Sequence, residues 1–194
     1  MHKNINTMKI KLLALSLFCF GFLKAQNCDY SSNIKDSIGT YKSTKDYLMS
    51  EKFFGSQKKL IYFSLANDNG MPFLNVQFIE KNNDFIKVFC FDKNSKLFLQ
   101  LENGKIITLM HTTEMNCGTT IKDQQGIKTR INTGYFVFLT GAIEQLKQSP
   151  VALIRFRIGS DNSDYIIKTN FKSEQDGELY QPATFFINYL KCIE

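Results

Sequence analysis

The hydrophobic pattern of most of the chain alternates with period two, which predicts β-strands. From residue 60 onwards, apolar side chains recur at every second position, as at Leu74, Val76 and Phe78. Clusters of turn-forming residues separate these runs, and Asn103-Gly104 lies between two alternating runs. Asn-Gly in that context is the strongest short-range signal for a hairpin. Because tight turns join successive strands, we expect an antiparallel sheet.

Two further patterns extend this prediction. Residues 85–91 are apolar at both parities apart from Lys87, which predicts a strand covered on both faces. Residues 119–122 and 127–131 flank a turn, which predicts a second hairpin.

Three segments are predicted to be helical. Residues 43–54 could form a short helix after a Ser or Thr cap, and residues 141–148 follow Thr140 and end before Pro150. The last helix opens at Gln181-Pro182, where proline suits the first helical position.

The predicted fold is α+β and dominated by an antiparallel meander. We expect about nine short strands in a curled sheet or a sandwich, with two or three packed helices that include a C-terminal one. The many Phe residues would fill the core, although a curled sheet can also enclose a ligand cavity.

The N-terminal segment has the pattern of a secretory signal peptide. Residues 1–11 contain three Lys and no acid, residues 12–23 are uncharged, and Ala25 follows. This order of a basic region, an apolar region and a small residue predicts cleavage after Ala25. The leader resembles those of Gram-negative secreted proteins, and its apolar run is shorter than the roughly 20 residues of a transmembrane helix. The mature chain would be a single β-rich domain, residues 26–194, without a transmembrane segment.

Removal of the leader changes the electrostatic picture. The whole chain has 24 Lys and Arg, 18 Asp and Glu, and a formal charge of +6. Four of the Lys and none of the acids lie in the leader, so the mature domain carries only +2. This is far from the basic footprint of a nucleic-acid-binding domain, and no nucleic-acid partner is expected.

Cysteine usage fits an exported bacterial protein, either periplasmic or extracellular. Cys19 leaves with the leader, and the even number that remains favours disulfides in an oxidising compartment. We prefer a bond between Cys28 and Cys192 near the two ends. A bond between Cys117 and Cys192 is nearly as good, and Cys90 could be a buried thiol.

Candidate catalytic residues are few. His111 is the only His after the leader, and Cys117 follows it by six residues, so the two are candidates for a Cys–His nucleophile. A disulfide at Cys117 would remove that nucleophile. A pair of carboxylates could also serve a hydrolase, although most acids here lie in predicted turns. The sequence has no serine-hydrolase, phosphate-loop or zinc motif, and we expect no cofactor and no metal.

Four cations form the remaining pattern. Lys128 and Arg130 share one strand face, and so do Arg155 and Arg157. If the two strands lie close together, these side chains would form a small anion-binding face.

These patterns favour an exported, non-catalytic protein of the cell envelope that binds a protein partner or a small ligand on a β-rich scaffold. The alternatives are a secreted hydrolase that uses Cys117 and His111 or a carboxylate pair, and a binder of an anionic surface polymer.

Overall fold

A large antiparallel sheet forms most of the structure, which is a computed structural model describing residues 28–112 and 114–194. The predicted signal peptide, residues 1–25, lies outside the described residues. The large sheet has 11 strands, and a second sheet has two. The strands are β1 (Tyr30–Lys35), β2 (Thr40–Thr44), β3 (Tyr47–Phe54), β4 (Gln57–Asp68), β5 (Met71–Asn82), β6 (Lys96–Leu101), β7 (Ile106–His111), β8 (Thr119–Lys122), β9 (Lys128–Phe138), β10 (Val151–Ile158), β11 (Asp161–Ile166), β12 (Phe171–Lys172) and β13 (Leu179–Tyr180).

The strand order shows how the large sheet curls. The path runs β1-β2-β4-β5-β9-β7-β6-β10-β11, with β3 also paired to β4 and β8 also paired to β9. The order departs from a simple meander because β9 is inserted between β5 and β7. Strands β3 and β11 form no ladder with each other among the described residues, yet the Lys52 ammonium of β3 lies 5.2 Å from the Tyr165 ring centre of β11. The sheet therefore curls until its two sides face each other, and it stays open between them.

The inner face of this curl holds the hydrophobic core. On β9, Phe136 is fully buried and its neighbour Tyr135 is exposed, so alternate residues point inward. Phe63, Phe136 and Phe156, which come from three different strands, are at most 1% exposed.

Helical segments close one end of the curl. Helix α1 (Ala142–Leu146) precedes β10, and the C-terminal segment consists of a 3-10 turn (Pro182–Thr184), helix α2 (Phe185–Tyr189) and a second 3-10 turn (Leu190–Ile193). The Phe185 and Phe186 rings pack at 6.1 Å and 6.2 Å from the Phe63 ring. The Asn67 amide donates a hydrogen bond to the Ile193 carbonyl at 2.6 Å, which fixes this segment over the end of β4.

Several predictions are confirmed. The sheet is antiparallel, β6 and β7 form the hairpin closed by Asn103-Gly104, and the C-terminal helix starts after Pro182. The turn between β4 and β5 places Asn69 at φ 51° and Gly70 at φ 86°. Both values are left-handed, as a tight hairpin turn requires.

The predicted helix over residues 43–54 is wrong. Residues Tyr47–Phe54 form β3, which pairs with β4 along its whole length. The Thr44 hydroxyl accepts a hydrogen bond from the backbone N–H of Leu65 at 2.9 Å instead of capping a helix. A bulge between Leu48 and Ser50 shifts the register, so the consecutive residues Leu48 and Met49 are both buried and the segment departs from strict alternation.

The predicted strand over residues 85–91 is also wrong. This segment is a loop in which Phe85 is 76% exposed, and its only ladder contact among the described residues is the bridge from Phe91 to Asn116. The described residues therefore hold 13 strands and two α-helices, where about nine strands and two or three helices were expected.

Two disulfides tie the fold together. Cys28 bonds to Cys192, which is the preferred pairing, and Cys90 bonds to Cys117. The structure therefore contains neither a Cys117–Cys192 bond nor a free thiol at Cys90, which were the alternatives. Over the described residues, no helix is long and apolar enough to cross a membrane.

Candidate functional site

The inner face of the sheet changes from apolar to polar along the strands. The inward residues of β9 read Lys128, Arg130, Asn132, Gly134 and Phe136 in chain order. The inward residues of β4 change from polar to apolar in the same direction, from the exposed Lys59 to the buried Phe63. The polar ends of these strands meet at the end of the curl that lies opposite the C-terminal segment.

A cavity of about 190 Å³ occupies this polar end. We call it the end cavity. Its walls come from β3, β4, β5, β9, β10, β11 and the loop after β5. They consist of Ser50, Lys52, Lys59, Leu60, Ile61, Phe78, Ile79, Glu80, Lys87, Phe89, Arg130, Asn132, Phe156, Ile158, Asp161, Ser163 and Tyr165. A more open recess continues from it along the gap between β3 and β11.

Arg130 is a buried cation in the wall of the end cavity. Its side chain is 8% exposed, and it donates hydrogen bonds to the Thr120 hydroxyl at 2.8 Å and to the Cys117 carbonyl. Both partners are neutral, and no carboxylate of the described residues forms an ion pair with it. Its Nε is buried and has no hydrogen-bond partner among those residues. A buried donor in this state costs about 1–3 kcal/mol, and more when it is charged.

Asn132 lies two residues further along the same inner face and is 1% exposed. Its Nδ2 donates to the Phe89 carbonyl at 2.8 Å, which fixes the orientation of the amide. Its Oδ1 is buried and accepts no hydrogen bond from the described residues. Arg130 and Asn132 in the wall of the end cavity therefore each have one buried polar atom without a hydrogen-bond partner among the described residues.

Four of the other charged residues of the end cavity form two ion pairs, while the exposed Lys52 lies over the Tyr165 ring. Lys59 lies 3.3 Å from Glu80, and Lys87 lies 3.0 Å from Asp161. The Tyr165 hydroxyl is neutral, because burial raises its pKa and the charge of Glu80 raises it further. Since the two carboxylates each have a lysine partner, the positive charge of Arg130 dominates the buried part of the end cavity.

Aromatic rings form the apolar part of the wall. The Phe78 ring packs edge-on against the Phe156 ring at 4.8 Å and against the Phe89 ring at 5.4 Å. Phe78 also lies 6.2 Å from Tyr165. Side chains locked in this way give the end cavity a preformed shape.

The Cys90–Cys117 disulfide holds one wall of the end cavity in place. Cys90 follows Phe89 in the loop after β5, and Cys117 supplies the carbonyl that accepts from Arg130. The disulfide therefore joins the loop to the segment that positions the guanidinium.

The candidate Cys–His nucleophile does not form. Cys117 is bonded to Cys90, so it has no thiol to ionise. His111 is 4% exposed and lies between the rings of Phe91 at 5.5 Å and Phe136 at 5.3 Å. Burial lowers its pKa, which Asp92 opposes only in part. His111 is therefore a core residue.

The four candidate anion-binding residues do not share one face. Arg130 points inward, whereas Arg155 and Arg157 are exposed on the outer face of β10. Arg155 forms two hydrogen bonds of 2.6 Å with Asp164, and Arg157 lies 5.5 Å from the Phe98 ring centre. Lys128 donates to the Asp84 carbonyl at 2.9 Å. Arg130 therefore lies on the inner face of the sheet and Arg155 and Arg157 on its outer face, so the two pairs of cations do not come together.

Carboxylates reach the end cavity at two positions, Glu80 and Asp161. Both are held in the ion pairs described above, and Glu80 also accepts from Gln57 at 2.8 Å. In the part of the chain that the structure describes, no group of three or more His, Cys, Asp and Glu side chains could hold a metal ion.

Sequence reasoning missed most of the end cavity. Arg130 was singled out, but for an exposed face, and Asn132 was overlooked. One usable signal is that the polar residues Lys128, Arg130 and Asn132 alternate along β9 on the same face as the buried Phe136. A polar residue at a core parity marks either a buried network or a site.

Comparison with known proteins adds no further identification: no family model, no curated protein and no solved structure matches the chain.

Proposed function

We propose that this is an exported binding protein without catalytic activity, and that it holds a small molecule in the end cavity at the cell envelope. One observation carries the proposal. Arg130 and Asn132 are both more than nine-tenths buried in the wall of a cavity that also has aromatic and aliphatic walls, and each has a polar atom that no described residue satisfies. Binding sites have this composition, with mostly apolar walls and a few placed polar groups.

The size of the end cavity supports a small molecule. An engineered cavity of about 150 Å³ in another protein binds benzene, so about 190 Å³ holds one ring with a few substituents. A protein partner would reach this space only with a single side chain.

Two features support export. The two disulfides suit an oxidising compartment, where such bonds persist. The leader pattern of residues 1–25 agrees with this location.

The proposal is tested by blocking the end cavity. Saturation-transfer NMR with a mixed set of neutral, cationic and anionic ring-sized molecules would measure binding to the wild type and to Ser50→Phe. Ser50 is half-buried on the inner face of β3, so a ring at this position would occupy the end cavity. We expect at least one molecule to bind the wild type and to lose binding in Ser50→Phe.

Ser56→Phe is the matched control, because Ser56 is exposed in the turn between β3 and β4. It should bind as the wild type does. The proposal is refuted if no molecule of the set binds, or if Ser50→Phe and Ser56→Phe bind equally well. Chemical conversion of a bound molecule by the wild type, lost in Glu80→Gln, would assign a hydrolase instead.

A further inference from the structure

We infer that the ligand of the end cavity is a ring-sized carboxylic acid that carries a hydroxyl or N–H donor beside its carboxylate. This inference rests on the proposed function and specifies the chemistry of the ligand. It follows from the two unsatisfied atoms, the charge balance and the walls of the end cavity.

The Arg130 guanidinium requires an anion. Two of its N–H groups are used by the Thr120 hydroxyl and the Cys117 carbonyl, and Nε is left without a partner among the described residues. A carboxylate oxygen can accept from Nε–H while its charge compensates the buried cation. The neighbouring carboxylate, Glu80, is already held by Lys59 and Gln57.

The Asn132 amide requires a donor on the same ligand. Its Nδ2 already donates to the Phe89 carbonyl, so the atom without a partner among the described residues is Oδ1. Because an amide oxygen only accepts hydrogen bonds, this atom needs a donor. Arg130 and Asn132 are two residues apart on one strand and point to the same face. Residues two apart on a strand are separated by about 7 Å, which one small ligand such as a 2-hydroxy acid or an N-substituted amino acid can span with its acceptor and donor.

The remaining walls select the body of the ligand. Phe78, Phe89, Phe156 and Tyr165 surround the space, and aromatic rings pack edge-on against one another at 4.5–7 Å. An aryl ring is therefore favoured over an unbranched polar chain. Within about 190 Å³, a single ring and its acid group are accommodated.

Four probes separate the contributions of the ring, the charge and the donor. Mandelate has all three, and phenylacetate lacks the hydroxyl. The compound 1-phenyl-1,2-ethanediol has the shape of mandelate but no charge, and lactate lacks the ring. Isothermal titration of the wild-type protein should rank mandelate first, with each of the others at least about fivefold weaker.

Two variants connect this ranking to the named atoms. Arg130→Gln should weaken mandelate about 10- to 100-fold and leave the diol unchanged, since only the charged contact is lost. Asn132→Leu should reduce the preference for mandelate over phenylacetate to about one, because the acceptor for the hydroxyl is gone. A purely structural role for Asn132 would weaken both acids equally and preserve their ratio.

Arg155→Gln is the matched control, because Arg155 is exposed and pairs with Asp164 on the outer face. It should bind mandelate as the wild type does. Thermal unfolding shows whether each variant is folded. If Arg130→Gln does not fold, the ranking of the four probes by the wild-type protein decides whether the proposed ligand class is right.

The outcomes separate the ligand class from the proposed function. If neutral or cationic rings bind in the end cavity and the two acids do not, the ligand class is wrong and the binding function stands. If the diol binds as tightly as mandelate, the ligand class is also wrong. If no ring-sized molecule of any charge binds, both proposals fall.

Discussion

Removal of the two disulfides one at a time should separate global stability from binding. Cys28–Cys192 spans 164 residues and Cys90–Cys117 spans 27. Because a cross-link restricts the unfolded chain more when its loop is longer, chain entropy assigns about 5 kcal/mol to the first and about 3.5 kcal/mol to the second. The difference, about 1.6 kcal/mol, depends only on the ratio of the two spans, since both variants lose the same bond.

The assay is urea unfolding at 25 °C of Cys28→Ala/Cys192→Ala and Cys90→Ala/Cys117→Ala beside the wild type. The first variant should have the lower free energy of unfolding, by about 1.6 kcal/mol. Mandelate affinity should follow the opposite order, because only Cys90–Cys117 holds the loop and the carbonyl beside Arg130. Equal stabilities, or a less stable Cys90→Ala/Cys117→Ala variant, would refute the chain-entropy reasoning.

Two further predictions concern the core. Gly134→Ala should cost about 1–3 kcal/mol of unfolding free energy in urea, because a Cβ at this position would lie 2.9 Å from the Phe91 ring; an unchanged midpoint would contradict this. His111 should make the free energy of unfolding depend on pH, because burial lowers the pKa of His111 in the folded protein below the ordinary 6.5. The unfolded chain therefore binds the proton more readily, and stability falls as the pH drops below about 6.5. His111→Phe should flatten the profile of thermal midpoints between pH 7.5 and pH 5, and a profile with the same slope as the wild type would refute this assignment.

The elements that could be predicted from sequence are those fixed by neighbouring residues. Asn103-Gly104 and Asn69-Gly70 set their hairpins through local backbone conformation, which is independent of the rest of the fold. The start of the C-terminal segment at Pro182 is also local.

The failures depend on contacts between distant residues. Residues 85–91 have the composition of a buried strand, but the Phe89 carbonyl is taken by the Asn132 side chain and Cys90 is bonded to Cys117. Both partners lie far along the chain, so no local pattern could reveal them.

The candidate site failed for a related reason. Arg130 and Lys128 lie on the same face of their strand, as the alternation predicts. The alternation alone does not say which face of a curled sheet is the inner one. The strand pairing places Arg130 and Arg155 on opposite faces of the sheet, and the curl, which follows from the whole strand order, decides which of those faces is the inner one.

The Cys28–Cys192 bond also determines how the protein responds to mechanical force. The two Cα atoms are only 5.6 Å apart, so a pull on the chain outside them passes through the disulfide and does not load the sheet. Reduction of that single bond would place the sheet in series with the load and allow up to about 550 Å of extension as the domain unravels. A chain pulled from both ends would thus remain folded under tension for as long as this one disulfide stays oxidised.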